Sequence, residues 1–209
     1  MTVPALVLLS GGLDSTAALI LKVRHGPDTV EAVFFRYGQP MADQEYARAR
    51  HACEVLGVTL HMRNLEPVFH AFTEGLMRSP ASARDCAGRD TAFLPGRNSV
   101  LLSAAASLGD QWWPRGAQLV VGFNRGDAEG FPDCRGEFCA LMEQALRAGG
   151  SQVRIEAPWR ATTKRQIVQW VRREAGARMP LILQSWSCYA ADGPCGRCTA
   201  CVTRAEAFA

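Results

Sequence analysis

Ala5-Leu6-Val7-Leu8-Leu9-Ser10-Gly11-Gly12-Leu13-Asp14-Ser15 is the stretch that decides the fold. Its opening apolar run, residues 5–9, predicts a strand buried on both faces. Two glycines end the run, and a helix-period segment follows through about Lys22, with Leu13, Ala17 and Leu21 on one face. Strand, glycine loop and helix in that order form an anion site. The glycines let the backbone turn tightly and approach a ligand, and the first helical N–H groups and the helix dipole favour negative charge. Ser10 and Ser15 add hydroxyl donors, whereas Asp14 would repel an anion unless it meets a metal ion or caps the helix. The loop lacks the lysine and spacing of a Walker A motif and the GxGxxG of dinucleotide folds. A Gly-Gly turn alone would be a mere connection; the full set of residues 10–15 between a strand and a helix points to phosphate.

Working outward, apolar runs keep alternating with helical periods. Strands are expected over 30–35, 58–63 and 117–122, and helices from about Ala42 to a left-handed stop at Gly57, over 98–108 with a stop at Gly109, and over 135–147 and 163–175. Thr162 or Thr163 is the expected N-cap of the last. Residues 67–91 mix Gly, Pro, Ser and charge, and are expected to form a partly helical insertion or a mobile loop. The alternation predicts a doubly wound α/β domain with a mostly parallel sheet over residues 1–184 and a small cysteine-rich module over 185–209. No internal repeat or low-complexity linker interrupts it.

Composition agrees with one domain of ordinary size: 209 residues, 48% of them apolar. A net charge of +3 gives no argument for direct nucleic-acid binding. No run is long and apolar enough to span a bilayer, and the opening residues lack a basic start and a cleavage signature, so a cytoplasmic location is expected.

Of eight cysteines, Cys53, Cys86, Cys134 and Cys139 are dispersed, whereas Cys188, Cys195, Cys198 and Cys201 crowd together as C-x6-C-x2-C-x2-C. Four thiolates complete a tetrahedral zinc site, and Pro194 and Gly196 suit the sharp turn that wraps a metal. With no position left for water, such a site is structural. An iron–sulfur cluster or two disulfides are the alternatives.

The segment Ser10-Gly11-Gly12-Leu13-Asp14-Ser15 resembles the pyrophosphate loop of the adenine nucleotide α-hydrolase group, whose members cleave ATP to AMP and pyrophosphate, with Mg2+ at the phosphates, to activate an oxygen. Further motifs follow: Phe35-Arg36-Tyr37-Gly38-Gln39, Pro95-Gly96-Arg97-Asn98, Pro132-Asp133-Cys134-Arg135, Ser185-Trp186-Ser187-Cys188-Tyr189 and Pro194-Cys195-Gly196-Arg197-Cys198. In this order they resemble the 7-cyano-7-deazaguanine synthase family along nearly the whole chain. The resemblance implies adenylation of 7-carboxy-7-deazaguanine, attack by ammonia to give an amide, and a second activation that dehydrates the amide to the nitrile used in queuosine biosynthesis. A homodimer is common in that family.

Site roles carry over by position. Ser10, Gly11, Gly12, Leu13, Asp14 and Ser15 would hold the ATP phosphates. Arg97 and Asn98 would face nucleotide or substrate, or merely cap a helix and sit on the surface. Tyr37 would stack on adenine, or simply end a strand. Asn124, Asp127, Asp133 and Arg135 fall after the fourth strand, at the edge where open α/β sheets bind ligands; there a carboxylate can accept from a guanine-like edge and an arginine can pair with a substrate carboxylate. Lys164, at the place of a family Thr-Lys at a helix start, would contact phosphate, or merely be a solvated lysine. Cys134 has no activating neighbour in sequence, and a packing or substrate-wall role is expected for it. The chain departs from the resembled pattern at Pro40-Met41, where Arg-His is usual, and at Ala81-Ser82-Ala83-Arg84. Two acceptors therefore stay open: ammonia, leading to the nitrile, or another amine, including one on a protein, ending at an amide.

Overall fold

A computed structural model describes residues 2–70, 92–190 and 192–209, so most of the expected insertion over 67–91 lies outside the described residues. Five parallel strands, β1 (Ala5–Leu8), β2 (Val30–Arg36), β3 (Thr59–Asn64), β4 (Gln118–Val120) and β5 (Arg154–Glu156), form one sheet in the order β3-β2-β1-β4-β5. The fold class is the expected one. Between β1 and β4 the order of connection reverses, which makes the carboxyl ends of these two strands the switch point where such sheets take ligands.

Successive β1 residues face opposite layers. Ala5, Val7 and Leu9 join a core with α1 (Leu13–His25), α2 (Ala42–Leu56), α7 (Lys164–Glu174), α8 (Met179–Gln184) and α9 (Thr199–Phe208). Leu6 joins the opposite core with α3 (Glu66–Phe69), α4 (Arg97–Trp112) and Leu146 of α6 (Gly136–Ala148). A short α5 (Asp127–Gly130) and a 3-10 turn at Pro132–Cys134 follow β4. Buried Lys22 donates from Nζ to Gln118 Oε1 at 2.9 Å and to Glu156 Oε2 at 2.7 Å, tying α1 to β4 and β5. No helix among the described residues is long and apolar enough to cross a membrane.

Two of the expected helix ends stand, at Gly57 and at Thr163. Gly57 ends α2 in the left-handed region, at φ +68°, with its N–H on the Cys53 carbonyl. Thr163 caps α7 in a reciprocal box with Gln166, which sets Lys164 at the first helical position. Gly109 does not stop its helix: α4 runs on to Trp112. The glycine instead lets α4 lie close on the sheet, because a Cβ there would meet Val153 Cγ1 at 3.1 Å and Ala117 Cβ and Leu119 Cδ2 at 3.6 Å. Before Cys188 the chain forms helix α8 and then a stretch outside helix and strand, with Pro180 in the first helical turn where its missing N–H is harmless.

Gly109→Leu should lower unfolding stability by about 1–3 kcal/mol through overpacking against β4 and Val153, read as a lower urea midpoint with an unchanged slope.

Candidate active site

The loop after β1 is held from three sides. Gly11 has φ +74°, and a Cβ there would lie 2.2 Å from the Glu45 carbonyl oxygen. Gly122, at the end of β4, approaches the start of α1 so closely that a Cβ would lie 2.6 Å from Ser15 N. Trp186 N–H donates to the Gly11 carbonyl at 2.9 Å. Within the loop, Ser10 Oγ and Ser15 Oγ share a hydrogen bond of 3.0 Å, and Gly12 N donates to Ser10 Oγ at 3.3 Å. No side chain caps α1, which leaves its first N–H groups to an anion.

This loop opens into a cavity of about 270 Å³ at the carboxyl edge of the sheet. Ser10, Gly12, Leu13, Asp14, Ser15, Tyr37, Arg97, Asn98, Asp127 and Lys164, all named from the sequence, line it. Phe35, Phe123, Phe131, Trp186 and Tyr189 add aromatic wall. At the loop end, Lys164 Nζ pairs with Asp14 Oδ2 at 2.8 Å, while Asp14 Oδ1 is buried and without a hydrogen-bond partner. Burial and the Asp14 charge push the Asp127 carboxyl up to about 6 against the pull of Lys164. Burial alone would lower the Lys164 ammonium, but Asp14 and Asp127 hold it above its usual value.

Four named residues do not line the cavity: Gly11 turns away against α2, and three others stand behind the wall or away from it. Asn124 does not line the cavity; its Nδ2 donates to Asp127 Oδ2 at 2.9 Å and its Oδ1 accepts from Gly126 N at 2.7 Å, so it aims Asp127. Asp133 is buried beside the lining, its carbonyl accepts from Asn98 Nδ2 at 3.3 Å, and its Oδ2 has no partner. Arg135 is exposed and donates to the Ala128 carbonyl at 3.0 Å, so Arg97 is the arginine at the cavity. Burial alone would lower the Arg97 guanidinium, but Tyr37, Asp133 and Cys134 hold it above its usual range. Burial raises the Cys134 thiol well above normal, which keeps it protonated and suits a wall rather than a nucleophile.

Sequence reading gave no role to Glu45. It is half-buried on the first turn of α2 and lines the cavity. Burial pushes its carboxyl up to about 7, although the hydrogen bond from Gln39 and the Arg97 charge pull it down.

The sulfurs of Cys188, Cys195, Cys198 and Cys201 all lie within 4.8 Å of one another, and those of Cys188 and Cys198 are 4.0 Å apart, which is no disulfide. Backbone N–H groups of Ala190 and Cys195 point at Cys188 Sγ, and those of Cys198 and Cys201 at Cys195 and Cys198 Sγ, at 3.3–3.4 Å. Such donors suit thiolates, so the four residues can hold a metal ion. Arg204 on α9 connects this cluster to the loop. It donates to the hydroxyls of Ser185 and Ser187 and to the carbonyls of Ile182 and Leu183, flanking Trp186.

A switch-point cavity lined by a glycine loop, a lysine and buried carboxylates marks an α/β protein with its candidate site at the carboxyl edge of the sheet. More narrowly, the family described as "Queuosine biosynthesis protein QueC" matches residues 4–209, and the chain belongs to that family, which makes it an enzyme of queuosine biosynthesis. It is 38% identical to the 7-cyano-7-deazaguanine synthase of Laribacter hongkongensis, over 98% of this chain and 90% of that protein. It is 34% identical to the synthase of the same name from Methanosarcina barkeri, over 98% of this chain and 93% of that one. A solved glutamine-dependent NAD+ synthetase from Acinetobacter baumannii aligns with 99% of this chain and 39% of its own at 14% identity and a TM-score of 0.39, too remote to bear on fold or ligand.

The raised Glu45 carboxyl has a stability consequence. Its protonated form is favoured in the fold, so its contribution is complete below the unfolded value near 4.5 and is lost as pH rises through about 7. Glu45→Gln, which mimics the protonated form, should raise the melting temperature of the ligand-free protein at alkaline pH and leave it nearly unchanged in mild acid, as a pH series of thermal melts will show.

Proposed function

We propose that this chain converts 7-carboxy-7-deazaguanine to 7-cyano-7-deazaguanine with ATP and ammonia, through an adenylated carboxylate. The observation that carries the reading is the loop of residues 10–15, open to the cavity beside Lys164, in a chain whose relatives bear that synthase name. A carboxylate resists ammonia because its oxygen leaves poorly, and transfer of AMP to that oxygen supplies a good leaving group. The uncapped N–H groups of α1 and the Ser10 and Ser15 hydroxyls receive the phosphates, with Lys164 offsetting their charge.

The orphaned Asp14 Oδ1 and the neighbouring Asp127 carboxylate are hard oxygen donors that fit Mg2+. When bound there, the ion would neutralise phosphate charge. Arg97 lies at the cavity to pair with the substrate carboxylate, and Asn98, backed by the Asp133 carbonyl, supplies polar groups for a guanine-like edge. Ammonia attack yields the amide, and a second adenylation on the amide oxygen allows dehydration to the nitrile. The protein's part is chiefly to position reactants and stabilise charge. The four clustered thiols fit a structural zinc ion, to which Cys188, Cys195, Cys198 and Cys201 would be the ligands.

Incubation with the acid, ATP and ammonium should give nitrile, AMP and pyrophosphate by mass spectrometry, and release of ADP alone would overturn adenylation. Asp14→Asn should slow AMP release by about 100-fold or more with the fold intact by circular dichroism. Cys198→Ser should lose zinc, measured by elemental analysis, and unfold locally around α9 before the rest of the chain melts, as hydrogen exchange will register.

A further inference from the structure

The cavity contains a carboxylate that neither the phosphate loop nor the cysteine cluster accounts for. Glu45 stands on the first turn of α2, and its carbonyl oxygen is wedged against Gly11. Gln39, itself buried, fixes the side chain. Its Nε2 donates to the Phe35 carbonyl and to Glu45 Oε2, each at 3.1 Å, and its Oε1 accepts from Tyr37 N at 2.8 Å. The titratable or charged groups that act on Glu45 are Arg97, at the start of α4, and the Tyr37 phenol, just after β2. Asp14, Asp127 and Lys164 are engaged with one another at the loop end.

The inference rests on the reaction proposed above, which must remove protons from nitrogen in both its amide-forming and its dehydrating stage. When ammonia attacks the acyl adenylate, the C–N bond forms, the C–O bond to AMP breaks with its electron pair on AMP, and the nitrogen sheds a proton. In the dehydration, O-adenylation leaves a C=NH2+ centre that sheds one proton to give the neutral imidate, and the imidate then loses its remaining N–H proton. That bonding pair becomes the third carbon–nitrogen bond as the C–O pair departs on AMP. No described histidine lines the cavity, and Met41, in the position where the resembled pattern has histidine, is buried and apolar. Burial raises both the Tyr37 phenol and the Cys134 thiol, so neither offers a base near neutrality.

We propose that Glu45 is the base of both nitrogen steps: its carboxylate takes the N–H proton as AMP leaves and passes it to solvent. A carboxyl pushed up to about 7 suits the task, since it is partly ionised at neutral pH yet basic enough to accept a proton.

The test starts from the amide, 7-carbamoyl-7-deazaguanine, so that titration of ammonia does not enter. Zinc-loaded wild type and Glu45→Gln are compared across pH in two assays: amide-dependent exchange of labelled pyrophosphate into ATP, which reads adenylation, and nitrile formation by mass spectrometry. Exchange should change less than about threefold while nitrile formation falls about 100-fold. The fall in wild-type nitrile formation on the acid side of about 7 should vanish in the variant, and Glu45→Asp should recover part of the rate. Parallel loss in both assays would mean that Glu45 only shapes the pocket, and an unchanged nitrile rate would remove it from the chemistry; either overturns the assignment. Should the Gln variant not fold, the wild-type profile decides, and absence of an acid limb overturns it. Wild type that makes no nitrile from acid or amide refutes the underlying reaction and the proposal with it, whereas active wild type with an equally active variant refutes Glu45 alone.

Discussion

Backbone crowding at the start of α1 is the constraint on which the site depends. Gly122 leaves no room for a Cβ between β4 and Ser15, and Gly11 leaves none between the loop and α2. These two close approaches bring β1, β4 and the first turn of α2 to one point. Everything that lines the cavity is set relative to that point: the uncapped N–H groups of α1, Asp127 aimed by Asn124, and Glu45, whose own carbonyl is one of the crowding atoms. A side chain at either glycine would displace backbone rather than a flexible tip, so tolerance there is low.

The cavity separates two acidic environments. At the loop, Asp14 and Asp127 share Lys164, and an unpartnered oxygen on Asp14 leaves room for further positive charge. At the other side, Glu45 has a neutral amide from Gln39 and the influence of Arg97. The first arrangement suits holding anions through a cation, and the second suits moving a proton. One small pocket thus presents carboxylates of different character because their neighbours differ, not because the residue types do.

The loop, four of the five strands and the cysteine spacing were legible because each is a local pattern: an apolar run, a glycine pair, a fixed interval between thiols. β5 was not. Arg154-Ile155-Glu156 has one apolar residue in three and is a strand because β4 and the Lys22–Glu156 pair recruit it. Glu45 hid within a helix start rich in charge and polar groups, and nothing in Ala42-Asp43-Gln44-Glu45 says which carboxylate turns inward. Arg135 failed in the opposite way. Its motif put it beside Asp133 and Cys134, but as the N-cap residue of α6 it reaches outward to Ala128. Gly109 looked like a stop because a helix-breaking residue in isolation cannot announce that a sheet lies against it.

The clasp from the cysteine cluster to the loop also orders events in time. The Gly11 carbonyl receives the Trp186 N–H, and the segment carrying Trp186 is gripped by Arg204 on the helix that begins beside Cys198. A ribosome makes Gly11 long before it makes either partner, so a nascent chain can assemble β1, α1 and β2 while the glycine loop still lacks its brace. The pocket would become competent late in synthesis, in the same step that gathers the thiols.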